Sequence, residues 1–158
     1  MLIHEILKVY GPAVELAAVQ AGVRPALVLA VIREGSGGNP RYFTDEGAVG
    51  LCIVRQQALT DYNLAHETKY QLRDLAPANG SEPGGAIHDA AVLKNIAVCC
   101  WGISHLLAQF NGDYQLAVQA YFAGGQKVKA AARLGRARAD AVFSLERTFA
   151  KELEAGHV

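Results

Sequence analysis

The chain has 158 residues, 51% of them hydrophobic and 19% charged, with 15 basic and 15 acidic side chains for a formal net charge of zero. Such a composition excludes a disordered chain and fits one domain, 1–158, large enough to bury a core of its own. With no net charge there is no global field toward nucleic acid or an anionic membrane, so nucleic acid is not an expected partner and only local patches remain.

Residues 2–21 place Leu2, Ile6, Val9, Ala13, Leu16, Ala17 and Ala21 at helical spacing, with a bend expected at Pro12. His4, Glu5 and Lys8 interrupt this apolar start, so it lacks the basic head and unbroken apolar core of a signal peptide. No run is expected to reach the ~20 apolar residues that a membrane span requires. Gly22 is placed to end the first helix, and Pro25 suits the first position of the next. The segment 25–34 is apolar nearly all round, which predicts a central buried helix.

That helix runs into Glu34-Gly35-Ser36 and then a stretch with five glycines, at 35, 37, 38, 47 and 50. A carboxylate at the end of a buried helix, facing a glycine-lined turn, is the arrangement a cleft enzyme uses for a general acid. The plainer alternative is a solvated Glu34 paired with Arg33 or Arg55. Asp45 and Glu46 precede Gly47 and read as a surface turn pair.

A helical pattern resumes over 51–64, a short helix is expected at 67–75, and 76–85 (APANGSEPGG) reads as a surface loop or lid. His88 to Phe110 is the longest apolar helix, with Ile96, Cys99, Cys100, Ile103, Leu106, Leu107 and Phe110 on its buried side. Asn111-Gly112-Asp113 ends it and starts a helix over 113–123. Gly124-Gly125 breaks the chain before helices at about 126–134 and 137–154. No internal repeat or sustained strand pattern appears, so the class is all-α around one core. Cys52, Cys99 and Cys100 read as buried small hydrophobes of a reducing compartment; no zinc-like spacing surrounds them, and neither a metal nor a cofactor is expected. Lys127, Lys129, Arg133, Arg136 and Arg138 form a basic run, read as a solvated helix face or a surface for anionic wall polymers, nucleic acid or an acidic partner.

Several of these stretches together resemble the soluble lytic transglycosylase (SLT) family, relatives of goose-type lysozyme. They are PALVLAVIREGSGGNP, EGAVGLCIV and NIAVCCWGISHLLAQFNGDYQLAVQAYFAGGQKV, in the family's order over roughly residues 12–130. The resemblance implies a lysozyme-like α fold with a groove for peptidoglycan glycan strands. It further implies cleavage of the MurNAc–GlcNAc linkage by one Glu, acting as acid and then as base while the sugar's C6 hydroxyl closes a 1,6-anhydro ring. It carries Ser36, Gly50, Tyr121 and Trp101 over as substrate-binding candidates and Glu34 as the catalytic one. Tyr121 and Trp101 are able to stack on a sugar face or to pack in the core.

The departures gather at the chemistry. Anchored on Ser36 and Asn39-Pro40, the family's catalytic Glu falls on Gly35, with Glu34 one residue early. Its Met and Gln fall on Cys52 and Ile53, a Tyr falls on Gly102, and an Asn falls on Phe122. A one-residue slip turns a helical side chain by about 100°, against a tolerance nearer ~1 Å for efficient catalysis. Two expectations follow: a transglycosylase or muramidase of weak or altered activity with Glu34 as displaced acid/base, or an inactive wall-binding or structural part of an assembly such as a phage particle. In either case the chain is expected to be made in the cytoplasm and delivered to the wall by other means or carried in a virion.

Overall fold

The computed structural model describes residues 1–77 and 89–156. From residue 78 on, the expected loop or lid at 76–85 lies outside the described residues, as does the expected helix start at His88. The order of α-helices is α1 (Ile3–Ala21), α2 (Pro25–Gly35), α3 (Gln56–His66), α4 (Ala90–Gln109), α5 (Tyr114–Ala123), α6 (Gly125–Ala130) and α7 (Arg136–Glu154), with a 3-10 turn at Leu72–Leu75 between α3 and α4. Among the described residues the only extended pairing is two isolated bridges, Phe43 to Val49 and Val49 to Val54. The all-α expectation holds.

α2 is the centre. Leu27 to Ile32 are all 0% exposed, and the helix packs against α1 on one side and α7 on the other. Each of its larger buried side chains contributes about 1.5–3 kcal/mol by leaving water, so this helix anchors the core. Pro25 stands at its start, where the missing N–H costs nothing. Before it, Gly22 takes the left-handed conformation (φ 73°) and ends α1, its N–H bonded to the carbonyl of Val19.

α1 buries a face that overlaps the one its spacing suggested, with Ile6 in the core and Val9, Ala13, Ala17 and Ala21 packed against it. Ile6, Leu7, Tyr10, Val14 and Ala18 are buried, whereas Leu2 and Leu16 are 60% and 64% exposed. The helix is apolar on more than one side, and the positions of α2 and α4 choose between them. Pro12 sits within an uninterrupted helix on an exposed turn.

α4 buries Val92, Asn95, Ile96, Val98, Cys99, Cys100 and Ile103, while Leu106, Leu107 and Phe110 are only partly covered. At 20 residues it is, by length and composition alone, long and apolar enough to cross a membrane, contrary to expectation. Here it packs against α1, α3 and α5, which accounts for its hydrophobicity. All three cysteines are free and buried, as expected.

The pattern over 51–64 is not one helix. Residues 51–54 form a turn and α3 begins at Gln56, because Gly50 (φ 81°) and Ile53 (φ 43°) are both left-handed, which breaks helical hydrogen bonding. The short helix expected at 67–75 shrinks to the 3-10 turn at Leu72–Leu75.

Burial also sets an alkaline limit on the fold. Tyr10 is 0% exposed, its hydroxyl donating to the Gly38 carbonyl at 3.1 Å. Burial, and secondarily the neighbouring Cys52, pushes its pKa up from 10.0 to about 12. Burial likewise raises Cys52, Cys100 and Tyr121. The unfolded chain therefore loses these protons first, and stability falls as pH rises through the unfolded values near 9 and 10. Tyr10 alone accounts for up to about 3 kcal/mol between about pH 10 and pH 12. The urea midpoint should stay level to about pH 8 and drop steadily above it; a midpoint unchanged at about pH 11 would contradict the burial of these groups.

Candidate functional site

The turn Gly50–Val54 faces the end of α2, and side chains from three helices hold it. Ser36, at the C-terminal cap of α2, donates to the Leu51 carbonyl at 2.6 Å and accepts from the Gly38 N–H at 3.1 Å. From α4, the Asn95 carboxamide accepts from the Cys52 N–H at 2.8 Å and donates to the carbonyls of Val49 (2.9 Å) and Leu75 (3.0 Å). Tyr121 on α5 donates to the Cys52 carbonyl at 2.6 Å. Gly50 lies against Asn95 and the Leu75 carbonyl so closely that any Cβ there would overlap them. Three of the four substrate-binding candidates, Ser36, Gly50 and Tyr121, are thus buried and engaged in shaping this turn.

Ile53 carries the consequence. A β-branched residue at positive φ is strained, and the tethers on Leu51 and Cys52 keep it so. Its side chain, 4% exposed, is turned onto Gly35. A Cβ built on Gly35 would meet Ile53 Cγ1 at 2.9 Å and Cδ1 at 3.0 Å. The space a side chain at position 35 would occupy is therefore filled by Ile53. Positions 35 and 53 therefore share one volume.

Glu34 lies beside this contact, its side chain 28% exposed. Its partner is neither Arg33 nor Arg55 but Arg138 of α7, whose Nε stands 3.7 Å from Oε1. Arg138 also reaches the Glu34 carbonyl at 3.5 Å, and its guanidinium covers the Phe122 ring at 4.3 Å from the centroid. Arg55 instead donates to the Phe122 carbonyl at 3.1 Å. It fits closely against Gly124, where a Cβ would come within 3.1 Å of its Nη1. Asp45 and Glu46 are exposed on a turn, as expected.

On the far side of Arg55 a cleft with a cavity volume of about 80 Å³ opens between α3, α4 and α5. Arg55, Asp61, Trp101, His105 and Tyr121 are among its walls, and Gly102 on α4 leaves room where the family pattern has a Tyr. Trp101 is half-buried, stacked on His105 at 4.6 Å and edge-on to Tyr62 and His66. Of the candidates drawn from sequence, Trp101 is the one whose side chain lines the open space without a bond tying it elsewhere. Glu34 is not among the cleft's lining residues; Arg55 and Phe122 connect the two places.

Sequence reading did not single out Asn95 or Arg138 as individuals. Asn95 had one available signal, a polar side chain in the middle of an otherwise apolar helical face. Arg138 had none, since its partner lies 104 positions away.

The family model of the transglycosylase SLT domain matches residues 12–144. Among solved structures, an inactive mutant of the lytic transglycosylase Slt from Pseudomonas aeruginosa superposes with a TM-score of 0.69 at 18% identity. The match covers 92% of this chain and 24% of that one, so this chain spans about a quarter of its length. No curated protein matches the sequence.

Proposed function

Because the chain belongs to the transglycosylase SLT domain family, we propose that it engages the glycan strands of peptidoglycan from the cleft beside Trp101 past Arg55 and Phe122 to Glu34, and cleaves them weakly with Glu34 as acid/base. The position and lining of the cleft carry this reading: it opens between α3, α4 and α5, with Trp101 and His105 offering ring surface and Arg55 and Asp61 offering polar groups. Aromatic faces suit sugar rings because the C–H surface of a pyranose is apolar while its hydroxyls stay wet.

In the chemistry proposed, Glu34 gives its proton to the bridging oxygen as the C1–O bond breaks. The resulting carboxylate then takes the C6 hydroxyl proton as that oxygen closes on C1 to leave a 1,6-anhydro sugar. The step balances without water or cofactor. Its weakness follows from placement: Glu34 is one helical position off, and its side chain is held by Arg138 of α7 at 3.7 Å.

A second reading, favoured by the Ile53 side chain filling the space at Gly35, is a domain that binds wall glycan without cutting it, as part of a larger assembly such as a phage particle. Digestion of purified sacculi followed by mass spectrometry separates the two. The expected result is a low yield of anhydro-muramoyl ends that disappears in Glu34→Gln, with co-sedimentation on sacculi unchanged. Co-sedimentation with no anhydro ends would select the second reading, and a chain that neither sediments with sacculi nor cuts them would defeat both.

A further inference from the structure

Charge on this neutral chain is segregated. Lys127, Lys129, Arg133, Arg136 and Arg138 supply five of the fifteen cations within 127–138, a segment with no carboxylate, leaving ten cations against fifteen acids elsewhere. Lys127, Lys129, Arg133 and Arg136 are exposed. Among the described residues none of these four is ion-paired, and Lys129 meets only the Phe110 ring, at 6.0 Å. Like charges this dense repel one another, and an external anion along the segment would relieve that repulsion.

The fold fixes where that anion would lie. α6 leaves the cleft at Gly124-Gly125, both of which line it. The turn after α6 is pinned to α5 by Gln119, whose amide donates to the carbonyls of Ala132 and Leu134. α7 then brings the segment back to the candidate site at Arg138, against Glu34 and Phe122. Both ends of the basic segment therefore adjoin the site, and an anionic group held along it belongs with whatever polymer occupies the cleft.

We propose that 127–138 is a docking strip for the carboxylate-bearing peptide stems of the polymer whose glycan lies in the cleft. This rests on the peptidoglycan reading above and adds to it that the substrate is the stem-bearing strand rather than bare glycan. Multiple weak contacts of this kind act together and are screened by salt, since an exposed pair alone contributes little.

The test compares fluorescently labelled glycan strands with stems intact and the same strands after an amidase has removed the stems and the lactyl carboxylates this frees have been converted to amides, titrated with the full chain. Intact strands should bind at least about tenfold more tightly at about 0.05 M salt, and the difference should shrink toward none at about 0.3 M. The combined variant Lys127→Gln, Lys129→Gln, Arg133→Gln and Arg136→Gln should lose that preference while binding bare strands as the parent does. Arg133→Lys with Arg136→Lys should retain it, which separates charge from a folding defect. Equal affinity for both strands in the parent, or a preference that survives the fourfold substitution, would overturn the strip and leave the cleft reading intact. A DNA duplex competing as well as intact strands would also overturn the stem assignment, by showing a general polyanion surface. Failure to bind either strand would end the cleft reading and this one together.

Discussion

Asn95→Ala is expected to cost about 3–5 kcal/mol, the largest stability loss of any single polar substitution in this protein. The side chain is 0% exposed and makes three hydrogen bonds to backbone groups of two separate segments. Alanine would leave the Cys52 N–H and the Leu75 carbonyl buried without a partner, at roughly 1–3 kcal/mol each before relaxation, while the Val49 carbonyl would keep the Val54 N–H. The vacated volume adds a cavity term. Relaxation and water entry recover part of this, and the remainder is still a large fraction of the ~5–15 kcal/mol that holds a domain together. Thermal unfolding should show a fall in Tm of about 10 °C or more. Asn95→Asp should also destabilise, because one carboxylate oxygen would face two carbonyls where an amide now donates. A loss under about 1 kcal/mol for Asn95→Ala would mean that the Gly50–Val54 turn is held by its other tethers alone.

The second large effect concerns activity and needs two substitutions at once. Gly35→Glu with Ile53→Gln, in a Glu34→Gln background, is expected to raise release of anhydro-muramoyl ends by ~10²-fold or more, the usual contribution of a well-placed general acid. Gly35→Glu by itself should give no such gain. Replacing glycine within a helix is worth up to about 1 kcal/mol, but the new Cβ would press on Ile53 at 2.9 Å, and overpacking of that kind costs about 1–3 kcal/mol. Ile53→Gln removes the branch at Cβ, eases the strain at φ 43°, and lets the side chain leave the volume beside position 35. The two changes should therefore be non-additive in both stability and rate. If Gly35→Glu alone restores cleavage as fully as the pair does, Ile53 yields easily and does not block the position.

The Gly35–Ile53 contact also marks the limit of what was legible beforehand. Alignment of the family pattern on Ser36 and Asn39-Pro40 places both departures, at 35 and at 53, as separate losses of polar residues. That one fills the room of the other is a statement about a contact across 18 positions, and neither helical periodicity nor motif spacing encodes it. Glu34 behaves alike. A carboxylate at the end of a buried helix was readable, but Arg138 as its partner was not, because only the packing of α7 on α2 brings the two together.

Local signals did settle the elements themselves. Apolar runs, Gly22, Pro25, the Asn111-Gly112-Asp113 stop and the break at Gly124 place most of the α-helices among the described residues, because hydrogen bonding and capping act over neighbours, although the helix expected at 67–75 is a 3-10 turn at Leu72–Leu75. The same signals failed at 51–54, where tethers from Ser36, Asn95 and Tyr121 hold a left-handed turn against a helix-like pattern. On α1 they misplaced Leu2 and Leu16, which are exposed, because its apolar surplus leaves the exact buried face to be chosen by its neighbours. The sequence by itself thus pointed to the family and the central helix, and its resemblance implied a glycine at the last turn where the family pattern has a carboxylate. Only the tertiary structure decided what fills that place, which cation holds Glu34, and that Ser36, Gly50 and Tyr121 are engaged in holding a loop. The reason is physical: backbone conformation is set largely by neighbours in sequence, whereas occupancy of a buried volume is set by whichever distant side chain packs into it first and best.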